Sequence, residues 1–177
     1  PPPAKKVYPP PPPPVPEPTP DELFAAVRRL HTKEAIDQKK KRSDESLDVV
    51  KLEFEGAALK LEELLAVTPP DDSKIVEEAT DLVCLLYLDL VRIYQAYKVP
   101  NYEKAVEMFR KHLKRKPEEG DIRYLLASTL ETNRENNEAL REYRAFLNWL
   151  KHPKTRGEES PHEEPANRAV ERLKPKR

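Results

Sequence analysis

The sequence predicts an all-α chain preceded by an extended Pro-rich N-terminal arm. Three observations predict it. Only three Gly occur, and 12 of the 20 Pro fall in the first 20 residues, so the remainder is poor in both helix breakers. Beyond that arm every apolar period steps by three and four, and no alternating strand pattern stands out. The chain also repeats itself: "NYEKAVEMFRKHLKRKP" from Asn101 is answered 34 residues on by "ENNEALREYRAFLNWLKHP".

The arm, residues 1–20, reads "PPPAKKVYPPPPPPVPEPTP". Tyr8 precedes six consecutive prolines, Pro9, Pro10, Pro11, Pro12, Pro13 and Pro14, which are restricted to polyproline II. Such a tract is a stiff spacer or a ligand for an aromatic groove. Thr19-Pro20-Asp21-Glu22 is a capping box that opens the first helix. Its stripe of Leu23, Phe24, Val27 and Leu30 fades into "KEAIDQKKKR", so the helix is expected to be marginal or broken near Thr32.

Ser43 opens a second helix with a heptad-like seam of Leu47, Val50, Phe54, Ala57, Leu61 and Leu64. "TPPDD" at 68–72 stops it and caps the next. That third helix is apolar on more than one face, through Ile75, Ala79, Leu82, Val83, Leu86, Leu90, Ile93, Tyr94 and Tyr97, and is expected to be central. Helices follow at roughly 102–115, 120–133 and 136–150. After Pro153 the chain turns polar, with one short helix carrying Ala166, Ala169, Val170 and Leu173 on a single face. The resulting division is an arm at 1–20, a helical domain at 21–153 and a polar C-terminal tail at 154–177.

At the 34-residue shift Tyr102 superposes on Asn136, Ala105 on Ala139, Phe109 on Tyr143 and Leu113 on Leu147. Leu126, Ala127 and Leu130 likewise take the places of Leu90, Val91 and Tyr94, once two extra residues are allowed. The pattern resembles the tetratricopeptide repeat family, most clearly over 83–153. That resemblance implies an antiparallel helix-pair solenoid. Ala105, Phe109, Ala127, Ala139 and Tyr143 would make the repeat packing, because a small side chain lets two helices cross closely and an aromatic fills the groove beside it. A degenerate repeat over 21–66 would extend the stack. The resemblance also places Leu85, Leu88, Arg92 and Gln95 on a concave face, joined by Tyr124, Ser128 and Glu131 from the next repeat; the competing expectation is that residues 44–66 cover Leu85 and Leu88. The Lys and Asn with which some members hold a partner's C-terminal carboxylate are missing from these positions.

Chemical signals are sparse. The formal net charge is zero, from 32 basic and 32 acidic residues, which disfavours a polyanion partner. The basic runs "KKKR" at 39–42 and "RLKPKR" near the C-terminus lack interleaved aromatics and read as solvated ends. His31, His112, His152 and His162 have no metal-ligand spacing, and His112 is expected to be a partly exposed structural residue. Gly56, Gly120 and Gly157 are isolated, so no phosphate-cradling loop exists. Cys84 lies in an apolar run and reads as a core residue. Glu62-Glu63 and Glu77-Glu78 read as solvated faces. The longest apolar stretch, Leu82 to Tyr94, is too short to span a membrane and carries Asp89 and Arg92.

The function expected is therefore non-catalytic, with no cofactor, no metal and no small-molecule substrate: a scaffold or adaptor that binds other proteins, as a structural subunit of a larger assembly. The alternative is a recruitment module whose Pro-rich arm is the ligand for an aromatic-lined domain. The chain begins at Pro rather than Met, as a processed form or a fragment would. An intracellular or organellar setting is the expectation, with no organelle named.

Overall fold

The computed structural model describes residues 17–37, 42–152 and 160–175. Among the described residues there are seven α-helices and no strand: α1 Pro20–Asp37, α2 Asp44–Val67, α3 Ser73–Ala96, α4 Tyr102–Arg115, α5 Gly120–Thr132, α6 Asn136–Leu150 and α7 Glu163–Leu173. The Pro-rich stretch with Tyr8 and Pro9 to Pro14 lies outside the described residues, as does Gly157.

Local chemistry sets the ends. The Glu22 carboxylate accepts from the Thr19 backbone N–H at 2.9 Å and from its hydroxyl at 3.0 Å, closing the box that the sequence spells. Ser43 and Asn101 cap α2 and α4 by accepting from Ser46 N–H and Lys104 N–H. Asp72 stands at the cap of α3 but makes no side-chain capping bond. At the α5–α6 turn, Arg134 adopts φ 65°, and the Glu135 N–H reaches back to the Leu130 carbonyl at 2.9 Å. This is the 6→1 closure of a Schellman turn, with Arg where Gly is the usual residue.

Two expectations need correction. Helix α1 does not break near Thr32 but continues to Asp37. Glu34 on its last turns is buried and paired with Arg42, which rewards the continuation. His112 is not partly exposed: it is 2% exposed and bridges α3 to the α4–α5 turn through the Cys84 carbonyl and the Glu119 carboxylate.

Each helix from α2 onward packs against the next, and α1 packs on α3 and α2. The connectors between α2 and α6 are short, as antiparallel neighbours require. Across α2 and α3, partners retreat along one helix as they advance along the other. Asp48, Glu55 and Glu62, one heptad apart on α2, accept the hydroxyls of Tyr97, Tyr94 and Tyr87 on α3. The same inversion relates α3 to α4, where Lys116 pairs with Asp81, and α5 to α6, where Arg123 pairs with Glu142.

Helix α3 is the hub, with buried residues on most of its circumference from Ala79 to Tyr94 and one open stripe through Asp81, Arg92 and Gln95. The crossings are made at small residues: Ala79, Ala105, Ala127, Ala139 and Ala166 are all 0% exposed. Phe109, Tyr143 and Phe146 fill the space beside them. At the first residue of α5, a Cβ on Gly120 would overlap the Trp149 ring on α6, so this close approach requires glycine. Helix α7 buries Ala166, Ala169 and Val170 against the same core.

Two tests follow from this packing. Ala139→Arg would place a long cation at a closed crossing and is expected to cost several kcal/mol, on the order of 3 or more. Gly120→Ala, which adds one methyl against Trp149, is expected to cost about 1–3 kcal/mol. Both read as lowered urea midpoints, and an unchanged midpoint in either would refute the crossing it probes.

The tyrosine ladder makes a pH prediction. Burial first, and then the hydrogen bond to a carboxylate, hold Tyr87, Tyr94, Tyr97 and Tyr143 above the ordinary tyrosine range. The fold therefore favours the neutral phenol, and unfolded tyrosine ionises near about pH 10. Their stabilisation is complete below that value and drains away as pH rises above it. Tm is expected to fall from about pH 10 upward, and more shallowly in a Tyr87→Phe/Tyr94→Phe variant.

Candidate functional site

A surface with both apolar and charged groups lies where the end of α1, the start of α2 and the last turns of α3 meet. A cleft of about 650 Å³ opens there, lined by Glu34, Arg42, Asp44, Leu47, Arg92 and Lys98 among others. Its floor is apolar through Leu47 and Ile93, and its walls carry three cations and three carboxylates, counting Glu45.

Two polar groups below the cleft are buried. Asp89, in the middle of the most apolar run of the sequence, is 0% exposed. Its carboxylate accepts from His31 Nδ1 at 2.6 Å and from Arg92 Nη1 at 3.1 Å. The carboxylate only accepts, so Nδ1 carries the proton in this bond. The His31 contact ties α1 to α3, and the bond to Nη1 holds the guanidinium of Arg92, whose side chain is otherwise half-exposed. Glu34 is 5% exposed and accepts from Arg42 Nη1 at 2.8 Å. Nη2 of the same guanidinium is buried and has no hydrogen-bond partner among the described residues. A buried N–H without an acceptor is costly, which makes this nitrogen a ready donor to a carbonyl or carboxylate entering the cleft.

The structure distributes the sequence-derived positions unevenly. Arg92 and Gln95 are exposed on α3, and the Gln95 amide reaches the Thr129 hydroxyl on α5 at 3.4 Å. Leu85 and Leu88 are half-buried on the same helix. Tyr124 is already occupied: its ring stacks on His162 at 4.1 Å between centroids and 12° between planes, and it also meets Tyr143 and Phe146. Glu131 is occupied too, accepting the Tyr143 hydroxyl at 3.1 Å and both Nε and Nη2 of Arg172. Ser128, one turn before Glu131, is half-buried. Residues of α7 and its leading turn thus cover the α5 half of the expected face, while on the α3 half Arg92 and Gln95 stay exposed and Leu85 and Leu88 are partly covered. The packing positions Ala105, Phe109, Ala127, Ala139 and Tyr143 are all buried.

Sequence reading missed Arg42 as a site residue and took Glu62 and Glu78 for solvated positions. Glu62 instead accepts the Tyr87 hydroxyl, and Glu78 pairs with Arg28. The available signal was Asp89 within "LVCLLYLDLVRIY", since a charge in such a run needs a partner. Burial pushes the Cys84 thiol up to about 11, so the thiolate that would act as a nucleophile is disfavoured. Among the described residues no three His, Cys, Asp or Glu converge as a metal site, and no helix is long and apolar enough to cross a membrane. No family model matches the chain, and no curated protein matches it.

Asp89→Asn keeps the shape and removes the charge that His31 and Arg92 share. It is expected to cost about 1–3 kcal/mol and to make α1 the first segment cut in limited proteolysis. Equal protection of α1 in both forms would contradict the tethering role.

Proposed function

We propose that this chain is a non-catalytic scaffold or adaptor, a stack of antiparallel helix pairs similar to tetratricopeptide repeats, that docks another protein as part of a larger assembly. The supporting observation is an alternation in the contacts. Odd-numbered helices touch in series: α1 to α3 through His31–Asp89, α3 to α5 through Gln95–Thr129, and α5 to α7 through Glu131–Arg172. Even-numbered helices do the same on the other side, α2 to α4 through Glu62–Lys111 and α4 to α6 through Glu138–Arg110. Two layers of this kind are what a solenoid of helix pairs produces, with the first helix of each pair on one surface.

Within that reading the docking surface is the α1–α3 end of the first layer: Arg92, Gln95 and the cleft beneath Arg42. Its balanced charges and apolar floor suit a peptide segment that offers both a carboxylate or carbonyl and an aliphatic side chain. The stretch around Tyr124 and Glu131 serves to dock α7.

Affinity purification with mass spectrometry tests this, using the full chain, a chain lacking residues 1–16, and Arg92→Glu. The partner is expected to survive loss of the arm and to weaken by roughly tenfold or more with the charge reversal. Capture of the same partner by a peptide of residues 1–20 alone would replace this reading with arm-mediated recruitment.

A further inference from the structure

Helix α2 has two seams. The inner one, through Leu47, Phe54 and Leu61, is buried on α3. The outer one is Val49, Leu52, Gly56 and Leu59, again in steps of three and four, and continues through Glu63 to Ala66. Val49 is 60% exposed, Leu52 65% and Leu59 55%, and nothing lies within 4 Å of where a Gly56 Cβ would be. A glycine in an exposed apolar stripe, with open space above it, is a notch in a ridge.

We propose that this outer seam is a self-association surface, on which two copies of the chain pair through α2 in antiparallel fashion across a two-fold axis. A two-fold contact must be self-complementary, with each residue facing its counterpart's partner. Among two-fold registers that keep the seam together, the one that also sets opposite charges against each other is the following. Leu59 sits in the notch over the partner's Gly56, and Gly56 receives the partner's Leu59. One layer out, Leu52 lies along the methylenes of the partner's Glu63, and beyond it Val49 meets the partner's Ala66. On one edge Lys60 faces the partner's Glu53 and Glu53 faces the partner's Lys60, so the ion pair occurs twice with opposite charges. Both residues are exposed. On the other edge Glu55 and Glu62 give their oxygens to Tyr94 and Tyr87, and Glu62 also to Lys111, which turns them toward α3. The zero formal net charge removes the general repulsion that would oppose two copies meeting.

Sedimentation equilibrium of the full chain over a range of concentrations tests this. A monomer–dimer equilibrium is expected. Leu59→Glu should weaken it by at least about 100-fold. Gly56→Leu should weaken it while raising the helicity of the monomer, since leucine favours helix over glycine and the site is open. Glu53→Lys alone should weaken the dimer by about tenfold at low salt, and Glu53→Lys with Lys60→Glu should restore it, because the swapped pair is again complementary. All four positions are exposed, so circular dichroism should report an intact fold. A chain that stays monomeric throughout overturns the proposal. So does a dimer indifferent to Leu59→Glu, or a double charge swap that fails to restore pairing. A dimer that forms only after residues 1–16 are removed would also overturn it, assigning the seam to the arm.

Discussion

The structure depends on how closely helix backbones can approach. Packed helix axes lie about 8–10 Å apart, and they reach the short end of that range where the facing side chains are small. This chain places alanine at those points: Ala79, Ala105, Ala127, Ala139 and Ala166 have no exposed surface at all. A closed crossing contributes little by itself, because an alanine buries little area. Its effect is to bring the larger neighbours together. Phe109, Tyr143, Phe146 and the leucines of α3 then pack against residues on both sides. Gly120 beneath Trp149 is the extreme case, a contact that admits no Cβ.

Apolar packing of that kind fixes distance but leaves a helix free to slide by a turn. The polar contacts remove that freedom. Asp48, Glu55 and Glu62 recur every seven residues, and Tyr97, Tyr94 and Tyr87 answer them on α3. A slip of one turn would break all three bonds; the loss is largest at half-buried Glu55 and smaller at exposed Asp48 and at Glu62, which keep Lys51 and Lys111 as donors. Asp89 acts likewise on α1. Its burial at 0% exposure is tolerable only with His31 in place, so the first helix has one favoured seat on α3.

Much of the fold is legible in the sequence because helix period, capping and the 34-residue repeat are local signals. The ranges expected for α4 and α6 match the structure, and that for α5 differs by one residue at its end. What was illegible depends on contacts between distant residues. Glu62 looks like any solvated glutamate until α3 supplies Tyr87 from 25 residues away. His112 reads as a surface residue on an amphipathic helix until the Cys84 carbonyl and Glu119 close around it. The site was half legible. Arg92 and Gln95 follow from the repeat register, whereas Arg42 sits in a basic run that composition alone assigns to solvent.

The two ends of the helix stack differ physically. A chain of packed helices leaves an apolar face at each end unless something with a polar outer side closes it. At the C-terminal end α7 does so: Ala166, Ala169 and Val170 turn inward, while Asn167, Arg168 and Glu171 face outward. At the other end α1 packs on α3 and more lightly on α2, burying its own Leu23, Phe24 and Val27. The outer side of α2 keeps Val49, Leu52 and Leu59 in contact with water. Single exposed leucines are ordinary on protein surfaces. Three apolar residues in helical register around an open glycine are different, because they form one continuous ridge on a rigid element. Nothing in the inner packing requires them, since α2 already meets α3 through its other seam. Their exposure lowers the cost of covering that face, whereas α7 has already met the same need at the opposite end with residues of the chain itself.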